Sequence, residues 1–316
     1  MDTLSKILDL LRFNGTFYFA TNFNGAWSIE VPSYKSVARF HYVTQGHCWV
    51  RVPGMEEPQM LSVGDLIIIP HGAKHILSDT PDSPPITLDE AFTHTGYNGQ
   101  GIFHFGEDSI LHGTQLVCGH FEFNEEYKHS FIDYLPQLII CNENEGTEFS
   151  WLKDSLHFLA NVAKSNQVGS SAIIKRLSEI IFIQSVRFWN ERQGSNEGFL
   201  AALNDPRISK GLMAFHNNYA ADWTVERLAE EAHMSRSLFS DRFKQYLNLS
   251  PMQYVTHWRM QNAKRMLVES QLSIEQIASD IGYDSLASFS KAFKRIVNKN
   301  PGEYRKERTR SNAEVN

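Results

Sequence analysis

The pattern of apolar and polar positions is repeated in the last third of the chain. Apolar residues recur at intervals of three and four residues over 225–232, as on one face of a helix, and the same pattern returns over 274–281. In both copies a short turn and a second helical pattern follow. The spacing therefore predicts two helix-turn-helix segments, 224–247 and 273–298, which belong to a duplicated module.

The turns of the two segments support this prediction. Gly282 lies where a short helix-helix turn needs a positive φ, and His233 occupies the same place in the first copy. Pro251 and Pro301 follow the second helix of each copy. They end it, because the residue before a proline disfavours helical backbone.

The outward face of each second helix combines long cations with short side chains. These positions are Arg236, Ser237, Ser240, Asp241, Arg242 and Lys244 in the first copy, and Ala287, Ser288, Ser290, Lys291, Lys294 and Arg295 in the second. Long cations reach phosphates, whereas small side chains let a helix axis come close to base edges. The pattern predicts that Lys244 and Lys294 contact phosphate and that Lys291 contacts guanine. The alternative is that the two segments are ordinary helical hairpins of an all-helical domain, since apolar periodicity alone does not indicate DNA binding.

Short apolar or alternating runs dominate residues 1–145, after one opening helix at residues 4–11. The runs span 16–21, 26–31, 38–44, 48–52, 65–70 and 115–123. Many short strands with turn residues between them indicate a sandwich or a barrel. The polar segment between Thr80 and Gly113 is too long for an ordinary loop. It is either a lid over the sheets or a disordered excursion, and the sequence leaves both open.

Helical periodicity returns between residues 146 and 195. The last helix of this region, 173–189, is apolar on more than one face and must be buried on more than one side. Two explanations stay open: the helix meets a second copy of the chain, or it caps the sheet core. Residues 191–198 are polar and contain glycine, which predicts a linker to the C-terminal part.

Charge divides the chain in the same region. The net charge is −6 at pH 7. Residues 205–316, however, hold 17 Lys and Arg against 13 Asp and Glu, and residues 1–204 hold 13 against 23. A basic C-terminal part favours nucleic acid as its partner, and an acidic N-terminal part favours a sensory or regulatory role.

Three features of the sequence bear on the compartment. No apolar run approaches the ~20 residues of a membrane helix, and the N-terminus has no secretory signal pattern. Cys48, Cys118 and Cys141 cannot all pair. We expect a cytoplasmic protein without disulfides or membrane contact.

The order and spacing of residues over 207–305 resemble the AraC/XylS family of bacterial transcription regulators. The helical stretch from Tyr254 to Met260 and the stretch from Ile277 to Arg305 carry much of this likeness. The resemblance implies a seven-helix domain whose recognition helices enter successive major grooves of double-stranded DNA, with RNA polymerase as a further partner. A helix over 251–268, about 25 Å long, would suit two grooves about 34 Å apart.

A second resemblance lies in the N-terminal part. Residues 64–75 fit the pattern G-x5-P-x-G-x2-H of the second cupin motif, and Phe40 to Gly46 is similar to the end of the first. The likeness implies a double-stranded β-helix, the cupin jelly roll, that acts as a sensor. We therefore expect an α+β chain in three parts. These are a cupin-like sensor domain over 1–145, a helical linker or dimerisation region over 146–195, and an all-α DNA-binding domain with two helix-turn-helix motifs over 205–310.

Histidines in this N-terminal part suggest a metal site. Cupin enzymes bind metal through His and Glu, and His75 lies at the motif position of one such ligand, although Arg39 lies where the Glu would fall. Cys118 and His120 are two apart on a predicted strand and share one face. Together with His41 and His75 they could form a closed four-ligand zinc site. The alternative, which requires no metal, is that Cys118 packs as a small hydrophobic residue and the histidines line a pocket.

Two classes of function account for these features. The first is a sequence-specific DNA-binding transcription regulator, a homodimer whose cupin domain senses a small molecule or a metal. The second is a cupin-type metal-dependent enzyme with an appended helical domain. The duplicated hairpins and the incomplete first cupin motif favour the regulator. No catalytic arrangement of side chains can be assembled from the sequence.

Overall fold

The chain forms two compact units in the computed structural model, which describes residues 2–11, 14–99, 101–106, 113–123, 130–142, 148–165, 167–193 and 198–315. The sheet unit consists of residues 13–123 and 135–194, and the helical unit consists of residues 1–12, 124–134 and 195–316. Over the residues described, none of the helices has the length and apolar character needed to cross a membrane.

The sheet unit is built from two sheets with helices at their margins. Its strands are β1 (Asn14–Phe23), β2 (Ser28–Val31), β3 (Val37–Gln45), β4 (His47–Arg51), β5 (Gln59–Ser62), β6 (Leu66–Ile69), β7 (His75–Ser78), β8 (Ile86–Thr87), β9 (Ile102–Phe105), β10 (Gln115–Glu122) and β11 (Ile139–Cys141). Its helices are α2 (Leu88–Thr95), α4 (Glu148–Ser165) and α5 (Ser170–Gln193). The strand orders are β11-β6-β3-β10-β1-β9 and β5-β4-β7-β2-β8. The six runs predicted as strands correspond to β1, β2, β3, β4, β6 and β10.

The two sheets share one apolar core. It contains Val43 and Phe103 from the six-stranded sheet and Val50 and Leu77 from the five-stranded sheet, all nearly inaccessible to solvent. Because both sheets contribute to the same cluster, they pack face to face, with side chains alternating inward and outward along each strand. The predicted α+β fold with an N-terminal cupin sandwich is confirmed.

The polar segment after Thr80 contains regular structure over the described residues 80–99 and 101–106. The side-chain oxygen of Thr87 accepts from the backbone N–H of Glu90, and the Glu90 carboxylate accepts from the backbone N–H of Thr87, which caps α2. Ala91 on α2 is fully buried, and the Phe92 ring lies 5.0 Å from that of Phe103. These residues therefore pack on the core, which a disordered excursion would not do.

Helix α5 covers the outer face of the six-stranded sheet. The Phe182 ring lies 4.9 Å from the Phe121 ring on β10, and α5 also packs against α4. Two of its apolar residues keep much of their surface in solvent: Ile173 is 41% exposed and Ile180 is 44% exposed. The helix therefore caps the core on one side, as one of the two explanations requires, and presents a second apolar face.

The helical unit begins with the first helix of the chain. Its helices are α1 (Thr3–Leu11), α3 (Ser130–Asp133), α6 (Gly198–Asn204), α7 (Ile208–Asn217), α8 (Val225–Glu231), α9 (Arg236–Leu247), α10 (Pro251–Glu269), α11 (Ile274–Asp280), α12 (Leu286–Val297) and α13 (Pro301–Val315). The Nζ of Lys6 donates to the carbonyl of His216 and to Oδ1 of Asn217, each at 2.8 Å. This division differs from the predicted domains at two places. The first helix joins the helical unit, because the buried Ile7 and Leu10 place α1 against α7, and the helices of the predicted linker region, 146–194, join the sheet unit. Of the predicted linker, residues 194–197 lie outside the described residues.

The two hairpins repeat each other down to their backbone caps. Ser235 and Ser285 cap the starts of α9 and α12 through their hydroxyl oxygens. Asn248 and Asn298 end the same helices in the left-handed conformation. The intervening turns have positive φ at His233 and Gly282, as the sequence predicts. The helix-turn-helix segments and the long helix between them are confirmed.

Candidate nucleic-acid interface

Buried aromatic pairs set the orientation of both recognition helices. Phe239 and Phe243 of α9 have ring centroids 5.5 Å apart, and Phe289 and Phe293 of α12 have centroids 5.6 Å apart. All four side chains are at most 2% exposed. Because these residues occupy one face of each helix, the opposite face points to solvent.

The predicted DNA contacts lie on these outward faces. Arg236, Ser237, Asp241, Lys244, Ala287, Lys291 and Lys294 are exposed, and Ser240 and Ser290 are half-buried at the edges of the two faces. Lys291, Lys294 and the exposed Arg295 give α12 a cationic outward surface. These side chains therefore have the access that phosphate and base contacts need. Their individual roles stay predictions.

Arg242 has an ion-pair partner that the sequence does not reveal. Its Nε lies 2.6 Å from Oδ2 of Asp205, a carboxylate that is 2% exposed. Burial opposes ionisation of Asp205, but the N–H groups of Ile208 and Arg207 and the guanidinium of Arg242 hold its pKa below the usual value. Arg242, whose side chain is 43% exposed, therefore joins α9 to the start of α7, and its contact with DNA stays a prediction. In the second copy the matching residue is Ala292.

Arg236 is exposed on the outward face and forms an ion pair with Glu226. Its Nη1 lies 2.8 Å from Oε1 of Glu226 on α8, and both side chains are more than half exposed. An exposed ion pair of this kind contributes little in water. A phosphate can therefore replace Glu226 as the partner of Arg236.

Two apolar side chains belong to the same outward surface and were absent from the predicted set. Leu238 is 46% exposed on α9, and Leu286 is 43% exposed at the start of α12. Methyl groups at such positions can contact the C5-methyl of thymine. The sequence does hold a signal for Leu238: it lies three residues before the predicted contact Asp241, so the two side chains are neighbours on one side of α9.

The sheet unit brings three of the four predicted metal ligands together. Nδ1 of His41 lies 3.1 Å from Sγ of Cys118, and Nε2 of His41 lies 2.8 Å from Nε2 of His75. Nδ1 of His75 lies 2.9 Å from the carbonyl of Ala73. His120 does not join them, because its Nε2 lies 2.7 Å from a carboxylate oxygen of Glu122.

The carbonyl of Ala73 determines which ring nitrogens of His75 and His41 carry protons. The carbonyl of Ala73 can only accept, so Nδ1 of His75 donates to it. Burial lowers the pKa of His75 to about 4 and holds that of His41 well below its usual value, so both rings are neutral at pH 7. Nε2 of His75 must then accept from Nε2–H of His41, and Nδ1 of His41 accepts from the thiol of Cys118. The three side chains form an ordered, uncharged relay.

This relay does not fit a single metal ion. Two nitrogens bound to one tetrahedral zinc lie about 3.3 Å apart, with no proton between them. His41 also uses opposite ring nitrogens for Cys118 and His75, so the three groups do not point at one position. Among the described residues, no three His, Cys, Asp or Glu side chains are arranged to hold a metal. Burial also raises the pKa of the Cys118 thiol and keeps it protonated.

Comparisons with known proteins cover both units. A cupin family matches residues 2–191, and a helix-turn-helix domain family matches residues 228–307. A putative AraC-like transcription regulator of Streptomyces lividans is 29% identical over 98% of this chain and 99% of its own length. The HTH-type transcriptional regulator AlkR of Acinetobacter baylyi is 30% identical over 97% of this chain and all of its own length. A solved regulator from Chromobacterium violaceum with an AraC-type DNA-binding domain is 27% identical and covers 34% of this chain and 96% of its own, with a TM-score of 0.32.

Proposed function

On the premise that this chain belongs to the AraC-type transcription regulators with an N-terminal cupin domain, we propose that its sheet unit binds a small-molecule effector and so controls DNA binding. The chain is a DNA-binding regulator and not an enzyme. The observation that carries the assignment is the pair of matched hairpins, whose recognition helices present exposed cations and small side chains. We propose the cytoplasm, where bacterial operator DNA lies, as its compartment.

The sheet unit supports a sensory role because its interior contains polar groups that a purely structural core does not need. Arg39 on β3 is 5% exposed, and His41, His75 and His120 are at most 4% exposed. Buried polar groups of this kind give an interior the hydrogen-bonding capacity to recognise a polar ligand. The effector is therefore a small organic molecule with polar groups, and zinc is the weaker candidate because the relay does not fit it.

The experiment is a ligand screen on the full chain combined with operator binding. The operator is first selected by the wild-type chain from a random-sequence duplex library. Compounds that raise the unfolding temperature are then tested for their effect on operator affinity, since a ligand of the folded state stabilises it. An effector that stabilises the chain and shifts operator affinity supports the proposal. Selection of an operator whose affinity no stabilising compound changes would leave a regulator without this sensory control.

We also propose that the chain acts as a homodimer through α5. The support is the exposed apolar pair Ile173 and Ile180, which lie two turns apart on one face of α5. Phe158 of α4, the helix that packs against α5, is also 51% exposed. Exposed apolar surface of this extent favours association. RNA polymerase is proposed as a further partner on the strength of the family resemblance.

A further inference from the structure

The side chain of Arg259, in the middle of α10, joins three separate backbone segments. Its Nε donates to the carbonyl of Tyr219 at 2.9 Å, and its Nη2 donates to that of Ala221 at 2.6 Å. Its Nη1 donates to the carbonyl of Gly282 at 3.0 Å. Tyr219 and Ala221 lie immediately before the first hairpin, whereas Gly282 is the turn of the second. One guanidinium therefore joins the turn of the second hairpin to the segment that leads into the first, from the helix that connects the two hairpins.

The backbone at Gly282 is shaped to this contact. Its φ is +86°, and a Cβ added there would lie 2.2 Å from the carbonyl oxygen of Ala220 and 2.7 Å from Nη2 of Arg259. Only glycine lets the turn of the second hairpin approach the segment before the first so closely. The Tyr283 ring also lies 5.8 Å from the guanidinium carbon. The contact is thus packed from several sides as well as hydrogen-bonded.

A guanidinium suits this position for geometric reasons. Its donors are fixed in a planar fork and can reach three carbonyls in different directions, whereas a lysine ammonium is a single point on a flexible stem. Backbone carbonyls left without a donor in a half-buried site are costly, so the three segments stay together when the fork is present. Loss of the fork would remove the hydrogen bonds between the second hairpin and the segment before the first, while α10 continues to connect the two hairpins.

This connection matters because the two recognition helices must match two grooves at once. Shifting one half-site by one base pair rotates it by about 35° around the duplex axis, since a turn holds 10–10.5 base pairs. A rigid protein cannot follow that rotation without losing contacts. We propose that Arg259 is a positioning residue, which fixes the second hairpin relative to the first and thereby sets the spacing of half-sites that the protein reads.

The test measures spacing preference with the full chain. The wild-type chain selects an operator from a random-sequence duplex library, and duplexes are then made with one base pair added or removed between the half-sites, together with duplexes that keep one half-site only. For the wild type, we expect a change of one base pair to weaken binding at least about tenfold, in the range of a base mismatch. For Arg259→Lys, we expect a loss of less than about threefold on the same change, with single-half-site affinity unchanged.

Arg265→Lys is the matched control. Arg265 lies on the same helix, and its Nη2 donates to Oδ1 of Asn262 within that helix at 3.2 Å. This variant should keep the wild-type spacing penalty. Arg259→Gln is measured beside Arg259→Lys, with circular dichroism melts of both. A spacing penalty that stays at the wild-type value in folded Arg259 variants would overturn the proposal. Loss of the native fold in both variants would also overturn it, because Arg259 would then be needed for folding and not for spacing.

The outcome is separable from DNA binding itself. A wild-type chain that selects no operator contradicts its DNA-binding function, whatever Arg259 does. A wild-type chain that selects a single half-site, with no preference for a second, binds DNA but does not read a spacing, and that result overturns the role of Arg259 alone.

Discussion

The half-exposed guanidinium of Arg242 and the buried carboxylate of Asp205 form an ion pair that joins the first recognition helix to the helix before its hairpin. Nε of Arg242 lies 2.6 Å from Oδ2 of Asp205, and Oδ1 accepts from the backbone N–H groups of Arg207 and Ile208 at 2.9 and 3.1 Å. The hydroxyl of Tyr246 donates to Oδ2 at 3.1 Å. One carboxylate thus caps the start of α7 and anchors α9.

Replacing Asp205 with alanine should destabilise the chain. The variant leaves the N–H groups at the start of α7 without their acceptor and removes the partner of Arg242, at a cost of about 2 kcal/mol. Asp241→Ala is the matched control on α9, because this exposed carboxylate should change the free energy of unfolding by less than about 0.5 kcal/mol. Urea unfolding of both variants measures the difference. Equal stability of the two would show that the Asp205 pair contributes nothing.

Substitution of the exposed lysines should alter DNA binding in a different way. Lys244→Ala and Lys294→Ala each remove one phosphate contact, so the slope of log affinity against log salt should become shallower by about one. Arg242→Gln lies on the same helix as Lys244 but removes a side chain tied to Asp205, and it should leave the slope unchanged. Salt-titrated binding to the selected operator measures all three. Unchanged slopes for both lysine variants would place these side chains away from phosphate.

The hairpins could be predicted from sequence because local patterns determine them. Apolar spacing, serine caps and a residue with positive φ recur in both copies, and each acts within a few residues of itself. Arg242 could not be predicted in the same way. Its position on α9 is near the edge of the apolar face, and its partner Asp205 lies 37 residues earlier in the chain. The sequence shows the cation but not the buried carboxylate that pairs with it.

The first helix, α1, could also be predicted from sequence, but the unit to which it belongs could not. Its apolar spacing predicts α1 correctly, yet nothing in residues 3–11 indicates which core they cover. The contact of Lys6 with the carbonyl of His216 assigns α1 to the helical unit.

The predicted zinc site shows what sequence alternation can and cannot predict within a sheet. Alternation places Cys118 and His120 on one face, but the sequence does not reveal that Glu122 binds His120.

Substitution of the exposed residues on α5 should change the oligomeric state. The wild-type chain should sediment as a dimer at micromolar concentration, and Ile173→Glu with Ile180→Glu should produce monomers, because four carboxylates would meet across the interface. Met60→Glu is the control, since Met60 is 46% exposed on β5, in the other sheet. Analytical ultracentrifugation measures the mass. A wild-type monomer would rule out association through this helix.

The metal content of the purified chain tests the relay between His41, His75 and Cys118. Because its donors do not converge, we expect zinc far below one ion per chain, and we expect Cys118→Ser to leave that content unchanged. Elemental analysis of the full chain, before and after dialysis against a chelator, measures it. One zinc per chain that is lost in Cys118→Ser would require His41 to turn away from one of its two partners and His120 to leave Glu122.

The same relay should make stability depend on pH in the weakly acidic range. Burial lowers the pKa of His75 from 6.5 to about 4, so between these values the unfolded chain binds a proton that the folded chain excludes. Stability from this residue is therefore complete above pH 6.5 and is lost as pH falls toward 4, by about 3 kcal/mol in full and about 2 kcal/mol by pH 5. His41, whose pKa burial also lowers, adds a loss of the same sign.

Urea unfolding of the full chain at pH 7 and pH 5 measures this effect, at values where few carboxylates take up protons. His75→Gln removes the titrating ring and should reduce the difference in unfolding free energy between the two pH values by about 2 kcal/mol. His47→Gln, at an exposed position on β4, should keep the wild-type difference. If His75→Gln retained the full pH dependence, His75 of the folded wild-type chain would bind a proton as readily as in the unfolded chain. The ordered donation from Cys118 through His41 to His75 would then be lost in the weakly acidic range.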